Sequence, residues 1–443
     1  MPGKQLLISL LALALAACGV PTVGAPSVDA MATQVASTLT AMAPVAHSVT
    51  ESPPASFAPE PTVAPPPAPL VLRIAYTSAG NVWLAEGDAP PVQLTTSGSA
   101  EQVRISSDGQ RIVFSRRPSA DGPVELRAVN RDGSGETVLA ASGVWNGLYP
   151  TDGVLFNDVE LFDFIPGTHQ LLLNTRGVPE GPGLMRYDDL LRLDAESGAL
   201  TTLRAPEAGG GFLVSPDGTK LAIIQHERIS LAHIDGTPIR SDAITFPSVI
   251  TYSEYLYHPV GQWTADSSAV GFAIPSADPL AADAGGTIWR LPADGGPAVT
   301  IATIAGDFFF TQFDVPALSP DLAWVAFQRG TTAPNIRNLI VARADGTGET
   351  IVATGQPSWA GWSPDSSHFV FGLDDPMNLQ LGAPGTAPAP LVNGTRFRWV
   401  DATTFVYTSG HAGAWMLMRG SVGAPAVAIA SPAGDFVDYD TAY

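Results

Sequence analysis

Histidine and cysteine are the residue types with which this chain could bind a metal ion or transfer protons. No two histidines have the i, i+4 spacing of a helical zinc site, and the chain has one cysteine, Cys18. This scatter favours histidines on strands and on the surface. We therefore expect no catalytic residue, no metal ion and no cofactor. The histidines are His47, His169, His226, His233, His258, His368 and His411.

Aspartate recurs in one short phrase, in which a small residue, any residue and Asp precede a hydrophobic strand. A catalytic role is conceivable, but the position favours structure: Asp in a turn accepts hydrogen bonds from nearby backbone N–H groups. Such a turn between two β-rich segments indicates a hairpin. The copies are Ser106–Gly109, Ser215–Gly218, Thr264–Ser267, Ser319–Asp321 and Ser363–Ser366.

The spacing of this phrase indicates one supersecondary unit copied around a fold. Aligning the strand after each turn gives eight units of roughly 40 to 50 residues, the usual size of a four-stranded propeller blade. Two units lack the full phrase, at 165–168 and 400–403. These second strands lie near Ile74, Ile112, Leu171, Leu221, Val270, Val325, Phe369 and Phe405.

The sequence thus predicts an all-β fold, a β-propeller of eight four-stranded blades. Seven blades is the alternative, if one unit is miscounted around 142–175. The first unit begins at its second strand, and the strand-like segment 434–440 follows a complete eighth unit. We expect this C-terminal strand to supply the missing strand and close the ring, which removes exposed edges.

The Ser-Pro-Asp-Gly phrases, together with Ile74–Thr77, Asn81–Leu84 and Gln93–Thr95, resemble TolB-type, WD-like β-propeller repeats. The resemblance covers residues 70–443 and implies the fold rather than a function. TolB has an additional N-terminal α/β domain, whereas this chain has a Pro-rich segment there. Related propellers also precede the hydrolase domain of prolyl oligopeptidase relatives, but no Gly-x-Ser-x-Gly motif occurs here.

Some sugar lyases also resemble this repeat family, and they use histidines and a metal ion. A metal-dependent oligosaccharide lyase or hydrolase, with its site at the propeller axis, is therefore the alternative to a binding protein. Histidines and carboxylates that converge on the axis would favour the enzyme. An axis lined by small and apolar residues would favour the binding protein, and we expect no enzymatic activity.

The N-terminal segment has the features of a secretion signal followed by a lipid attachment site. Residues 1–17 have a positive start and an apolar run that is too short to span a bilayer, as in a signal peptide. Leu15-Ala16-Ala17-Cys18 resembles the lipobox of bacterial lipoproteins. The resemblance implies that Cys18 carries acyl chains such as palmitate, which would hold the protein on the extracytoplasmic side of the cell membrane.

The predicted domains are therefore the signal peptide (1–17), the lipidated Cys18 with a tether (18–70) and the propeller (71–443). The tether is rich in Pro, Ala, Ser and Thr, a composition typical of an extended spacer of ~3 Å per residue. The formal net charge of −20 argues against a nucleic-acid partner, which requires clustered Lys and Arg. We expect a monomeric propeller.

The predicted loops differ in length between the two faces of the ring. The turns from the first to the second strand of a blade and from the third to the fourth strand are short, and they define the tight-turn face. The connections from the second to the third strand and from one blade to the next are long, and they define the long-loop face. The residues that bind a ligand usually lie on long loops that a rigid scaffold positions. These loops span 141–158, 177–183, 241–254, 275–286, 305–310 and 330–337.

Aromatic side chains in or beside these loops suit a protein or glycan partner, although packing beneath the loops is the alternative role. The candidate binding residues are Trp145, Tyr149, Tyr252, Tyr255, Tyr257, Phe308, Phe309 and Phe310.

Overall fold

The computed structural model describes residues 70–181, 183, 185–251, 256–309 and 315–443. The predicted signal peptide, Cys18 and the predicted tether up to residue 69 lie outside the described residues. The described chain forms eight β-sheets and one short helix, α1 (Gly143–Leu148). None of the helical structure in these ranges has the length and hydropathy needed to cross a bilayer.

Each sheet is an antiparallel meander and forms one blade. Blade 1 contains β1 (Arg73–Ser78), β2 (Asn81–Glu86) and β3 (Val92–Gln93), and blade 2 contains β4 (Ala100–Ile105), β5 (Arg111–Arg116), β6 (Glu125–Asn130) and β7 (Thr137–Ala140). Blade 3 contains β8 (Phe156–Phe164), β9 (Gln170–Val178), β10 (Met185–Arg186), β11 (Leu190–Asp194) and β12 (Leu200–Arg204). Blade 4 contains β13 (Gly211–Val214), β14 (Lys220–Ile224), β15 (Arg228–His233) and β16 (Pro238–Thr245).

The second half of the chain repeats the pattern. Blade 5 contains β17 (Gly261–Trp263), β18 (Ala269–Pro275), β19 (Gly285–Pro292) and β20 (Val299–Ala305), and blade 6 contains β21 (Trp324–Gly330), β22 (Arg337–Arg343) and β23 (Thr350–Gly355). Blade 7 contains β24 (Pro357–Trp362), β25 (Phe369–Leu373), β26 (Asp375–Gly382) and β27 (Ala389–Asn393). Blade 8 contains β28 (Thr395–Trp399), β29 (Thr404–His411), β30 (Ala414–Ser421) and β31 (Ala424–Ala430), and β32 (Tyr439–Ala442) follows it.

The prediction of an all-β propeller with eight blades is confirmed. Blade 3 carries an extra short strand. Within the described residues, the place of the first strand in blade 6 is taken by two isolated bridges to β21, Asp307↔Gln328 and Leu318↔Val325. The second strands are buried along almost their whole length, as in β5 and β18. Each blade packs between two neighbours, so both faces of these strands are covered, and a continuous apolar run replaces the alternation of a half-buried strand.

The ring closes through the C-terminal strand, as predicted. β32 pairs antiparallel with β1, from Tyr76↔Tyr439 to Arg73↔Ala442, and becomes the inner strand of blade 1. The closing strand lies a few residues beyond the predicted segment 434–440. Gly434 has φ +122°, a left-handed value that favours glycine, and it lies where the chain crosses from blade 8 to blade 1.

Candidate functional site

The repeated Asp side chains stabilise the turns of the tight-turn face. In all five copies the Ser or Thr hydroxyl donates to Asp Oδ1, at 2.5–2.6 Å. The same oxygen accepts the backbone N–H two residues later, at 3.0–3.1 Å. The hydroxyl of Thr264 and then the N–H of Ser268 lower the pKa of Asp266 to about 2. These carboxylates are therefore occupied as structural hydrogen-bond acceptors.

Trp145 lies in α1 on the long-loop face, but its side chain is completely buried. Its indole Nε1 donates to the carbonyl oxygen of Val124 at 2.6 Å. The ring belongs to the apolar core shared by blades 2 and 3. Trp145 thus fastens the long loop onto the blades and presents no surface to a partner.

Tyr149 holds the next part of the same loop against blade 3. Its hydroxyl donates to Asp189 Oδ2 at 2.9 Å, and its ring lies 4.6 Å from that of Tyr187, centroid to centroid. Asp189 also accepts the backbone N–H of Thr175 at 2.9 Å. Burial raises the pKa of Asp189 in spite of these donors. Both hydroxyl and ring of Tyr149 are therefore engaged within the protein.

The aromatic candidates near blades 5 and 6 also pack inward. Tyr257 and Phe308 are buried, and Phe308 stacks on Phe327 at 5.1 Å. Phe309 is half-buried, with its ring 5.4 Å from that of Tyr257. Three predicted contact residues lie outside the described residues: Tyr252, Tyr255 and Phe310.

Polar side chains from blades 3, 4 and 5 meet on the long-loop face. Blade 3 contributes residues from β8, β9, β10 and the loop after β10. Blade 4 contributes its second-to-third loop, and the segment before β17 leads into blade 5. These six residues are termed the blade 3–5 cluster: Glu160, Arg176, Arg186, Asp188, His226 and His258.

Short distances connect the members of the blade 3–5 cluster. Arg186 Nε lies 2.5 Å from Glu160 Oε1, and His258 Nε2 lies 3.7 Å from Asp188 Oδ1. The rings of His226 and His258 are 6.3 Å apart. Burial raises the pKa of Glu160, and the charges of Arg186, His258 and Arg176 oppose that rise.

His258 lies between the carbonyl oxygen of Leu256 and the carboxylate of Asp188. Its Nδ1 lies 3.2 Å from the carbonyl oxygen of Leu256, which can only accept, so Nδ1 carries a proton. Its Nε2 faces Asp188 Oδ1 at 3.7 Å. That distance is too long for a hydrogen bond. The side chains of His258 and Asp188 are 11% and 17% exposed.

The blade 3–5 cluster concentrates buried polar atoms that have no hydrogen-bond partner. Within the described residues nine such side-chain atoms occur, and four belong to this cluster. They are Arg176 Nε, Asp188 Oδ1, His226 Nδ1 and His258 Nε2. Because buried polar groups in folded proteins are normally paired, an unpaired group favours a site for water or a ligand.

The propeller axis is lined by charged side chains of the inner strands. Arg398 Nη1 lies 3.2 Å from Asp440 Oδ1, and Arg104 Nη1 lies 3.3 Å from Asp438 Oδ2. The side chain of Asp163 reaches water but is closely surrounded by protein. This desolvation and then the charge of Asp440 raise its pKa to about 6. The axis is therefore not lined by small and apolar residues. Its ion pairs tie the closing strand to blades 2 and 8.

The histidines do not assemble a metal site in the part of the chain that the structure describes. No three His, Cys, Asp or Glu side chains there are placed to hold one metal ion. His169, His233 and His368 lie at the tight-turn face, and His411 is the last residue of β29 in blade 8. His226 and His258 are the two histidines that the fold brings together.

Large exposed apolar side chains also mark the long-loop face. Six of the large exposed apolar residues of the described chain lie on this face. The others lie at the start of the described chain (Leu70, Val71), on the inner strand β8 (Leu161) or on outer strands (Val92, Val138, Val299, Ile351 and Val427). Clustered apolar exposure of this kind is typical of interaction surfaces. The residues are Leu155 (61% exposed), Met185 (45%), Ile250 (49%), Leu256 (57%), Leu280 (58%) and Phe436 (53%).

Hydrogen bonds join three of these apolar residues to neighbouring strands and loops of the long-loop face. The backbone N–H of Leu155 donates to Val178 at the end of β9, at 2.8 Å. The N–H of Ile250 donates to Ala277 in the next loop, also at 2.8 Å. The carbonyl of Leu256 accepts from His258. Leu256 therefore lies directly beside the blade 3–5 cluster, whereas Leu155 and Ile250 are bonded to other parts of the long-loop face.

Fold and surface together define an eight-bladed β-propeller with large apolar side chains exposed on its long-loop face. No protein-family model matches the chain, and no curated protein matches it. Similar solved structures include an oligogalacturonate lyase in complex with manganese, 15% identical, which covers 70% of this chain and 81% of its own, with a TM-score of 0.42. They also include TolB from Acinetobacter baumannii, 13% identical, covering 65% and 66%, with a TM-score of 0.31.

A further similar structure is described as the eukaryotic initiation factor, 12% identical, covering 84% of this chain and 98% of its own, with a TM-score of 0.46. At such identities the likeness concerns the fold alone, and a fold can host many functions.

Sequence reasoning did not find the blade 3–5 cluster. His226 and His258 were noted only as members of a scattered set, and Glu160, Arg176, Arg186 and Asp188 carried no local motif. The six residues come from separate strands and loops, so no spacing rule connects them. An Asp-Asp pair beside Tyr187, in an otherwise sparsely charged chain, is the one local signal that could have drawn notice.

Proposed function

We propose that this protein is a membrane-anchored extracytoplasmic lipoprotein that binds a protein or glycan partner through the long-loop face of its propeller. The observation that carries the proposal is the coincidence, on the loops of blades 3–5, of unpaired buried polar atoms with exposed aliphatic side chains. Such a surface gains free energy when a partner covers the apolar groups and pairs the polar ones.

The anchor is the second part of the proposal. Cys18 is the only cysteine and stands at the end of the lipobox-like sequence. Two or more acyl chains, at ~0.8 kcal/mol per buried CH₂, would give lasting membrane attachment. A Cys18→Ser protein should therefore partition into the soluble fraction. Retention of that variant in the membrane fraction would refute the anchor.

To test the binding proposal, the full chain is used as bait to capture partners from an extract of the cell envelope. Leu256→Glu and Leu280→Glu place charges on the long-loop face, at side chains that are 57% and 58% exposed. Val299→Glu and Val427→Glu make the same change on outer strands, at side chains that are both 54% exposed. We expect the first pair to lose the partner and the second pair to retain it.

Thermal unfolding of all four variants controls for folding. If the partner is retained by the Leu256→Glu and Leu280→Glu variants, the long-loop face is not the binding face. Loss in the outer-strand variants alone would move the binding surface to the rim of the ring. A Trp145→Ala variant would not probe the surface, because a completely buried indole cannot be removed without disturbing the core.

A metal-dependent lyase or hydrolase acting on oligosaccharides is the second candidate. It is favoured by the facing atoms of His258 and Asp188, which resemble an acid–base pair that is open to a ligand. Incubation of the full chain with oligosaccharides, with and without divalent cations, tests it. Turnover that His258→Asn abolishes would establish the enzyme, whereas its absence with every substrate and cation would leave the binding function.

A further inference from the structure

We infer that the ligand of the long-loop face carries a carboxylate group, and that the guanidinium of Arg396 binds this group. The inference rests on the proposed binding function and names the chemistry of one contact. It is argued from the backbone that places Arg396, from the donors of its side chain and from the local charge. An acidic side chain of a protein and an acidic sugar both supply a carboxylate, and the test separates these two sources.

The backbone at Arg396 is unusual for a residue other than glycine. Its φ is +53°, a left-handed value. It lies near the long-loop end of β28, in a β-bulge where the pairing with β29 shifts register between Thr395 and Arg398. The hydroxyl of Tyr439 donates to its carbonyl oxygen. A bulge changes the direction of a side chain, and strained backbone is concentrated at functional sites. This conformation therefore favours a functional role for the Arg396 side chain.

The side chain of Arg396 has donors to spare. Its guanidinium lies over the ring of Phe436, with Cζ 3.9 Å from the ring centroid, and Phe436 is 53% exposed on the long-loop face. Contact with the face of a ring leaves the N–H groups at the edge of the guanidinium free. Among the described residues, its one hydrogen bond runs from Nη1 to Asp438 Oδ1 at 3.5 Å, longer than a typical N–H···O bond. Most of its five N–H donors are therefore available to a ligand.

The charge of Arg396 is only partly balanced by its neighbours. Asp438 lies between two guanidinium groups: its Oδ1 is 3.5 Å from Arg396 Nη1, and its Oδ2 is 3.3 Å from Arg104 Nη1. One carboxylate is thus shared by two cations. The next arginine along the strand, Arg398, has a partner of its own in Asp440, at 3.2 Å.

Asp163, the third carboxylate of the axis, lies at the other end of the ring. It is near the tight-turn end of β8, whereas Arg396 is near the long-loop end of β28. Burial lowers the pKa of Arg396, and the nearby charge of Asp438 offsets this effect only in part. An additional anion beside Arg396 would therefore stabilise its charged form.

A carboxylate suits this guanidinium better than a neutral group does. It accepts two parallel hydrogen bonds from one guanidinium and supplies the missing negative charge. The formal net charge of the chain, −20, opposes the approach of an anion. At physiological ionic strength this repulsion is screened beyond about 8 Å, so it does not prevent the short-range contact with Arg396.

Two matched pairs of probes test the inference with the full chain in detergent micelles. The first pair is a short peptide with Glu at its centre and the same peptide with Gln, both flanked by Leu and Ile. The second pair is an oligosaccharide of a hexuronic acid and the oligosaccharide of the neutral hexose. Fluorescence anisotropy measures each Kd. We expect the acidic member of one pair to bind about tenfold more tightly than its neutral member, and its Kd to rise with NaCl concentration. The pair that responds identifies the source of the carboxylate.

Variants assign this preference to Arg396. Arg396→Gln should remove the preference for the acidic probe, and Arg396→Lys should keep part of it, because an ammonium group keeps the charge but not the planar fork. Arg343→Gln is the matched control: this guanidinium also lies over an aromatic ring, that of Trp324 at 4.1 Å, but at the tight-turn end of β22. Its Kd should equal that of the unmodified protein, and thermal unfolding checks that all variants fold.

Equal or tighter binding of the neutral member in both pairs, or no binding of any probe, would overturn the inference. A preference for the acidic probe that Arg396→Gln leaves unchanged would also overturn it. Capture from the envelope extract distinguishes this failure from that of the proposed function. If Arg396→Gln retains a partner that Leu256→Glu and Leu280→Glu lose, the binding face stands and the inference fails. If the two leucine variants retain the partner, the proposed function itself fails.

Discussion

At the scale of single residues, carboxylates in this protein have two opposite environments. In the tight turns, Asp266 accepts hydrogen bonds from a hydroxyl and a backbone N–H, which stabilise its charged form. At the axis, the protein that surrounds Asp163 and then the nearby charge of Asp440 destabilise its charged form, although the side chain reaches water. Arg104 and Arg398 offset this effect only in part, since the pKa of Asp163 still rises to about 6. The two environments give opposite dependences of stability on pH.

Asp163→Asn should stabilise the protein at neutral pH. A raised pKa means that the folded state binds the proton more tightly than the unfolded state does, so stability falls as pH rises from about 4 to about 6. Above that window the wild type carries the full cost of the ionised Asp163. Urea titrations at several pH values should therefore show a stabilisation that is constant above pH about 7 and vanishes towards pH about 4.

The matched control for this prediction is Asp121→Asn, a substitution of an exposed aspartate in a loop of blade 2. Its effect on the free energy of unfolding should be small across the same range. A stabilisation by Asp163→Asn that does not change with pH would show that the axial charges do not act through protonation of Asp163.

At the scale of elements, the positions of the second strands follow from local chemistry. All eight predicted strand positions fall within observed strands, from Ile74 in β1 to Phe405 in β29. The signal is strong because a hydroxyl–Asp turn and an apolar run are both local. The exposure of Trp145 and Tyr257 could not be predicted in the same way, because it depends on which neighbouring blade packs over each loop.

The closing strand is the element on which the ring depends, and Tyr439 is its buried anchor. Its hydroxyl donates to the carbonyl of Val406 at 2.9 Å and also contacts the carbonyl of Arg396. Tyr439→Phe removes the donor from two carbonyl oxygens of blade 8. We expect this substitution to lower the free energy of unfolding by about 1–2 kcal/mol, measured by urea denaturation.

Amide hydrogen exchange distinguishes a local weakening of the closing strand from a loss of stability of the whole propeller. The N–H of Thr77 in β1 bonds to the carbonyl of Asp438, directly before β32, at 2.9 Å. In Tyr439→Phe this amide should exchange faster, whereas amides in β18, on the far side of the ring, should change less. Thr441→Ala, on the same strand, should leave both unchanged. Equal protection of Thr77 in Tyr439→Phe and wild type would contradict the proposed role of the hydroxyl.

At the scale of the whole molecule, the ring separates a regular face from an irregular one. The tight-turn face repeats one motif, so the sequence predicted its structure in detail. The blade 3–5 cluster instead needs three blades in their final positions, since Glu160 of blade 3 and His258 before blade 5 interact although 98 residues separate them in the sequence. Its prediction from sequence would have required the rotation between blades, which no local pattern encodes.

The chain also allows a direct test of its location, because Cys18 is its only cysteine. If acyl chains block that thiol, a membrane-impermeant maleimide should not label the parent protein. Leu280→Cys and Ser197→Cys each introduce one exposed thiol, on the long-loop face and the tight-turn face. In intact spheroplasts we expect both variants to be labelled, because an extracytoplasmic propeller has no bilayer between it and the reagent. Labelling only after lysis would place the propeller in the cytoplasm, and labelling of the parent would show that Cys18 is free.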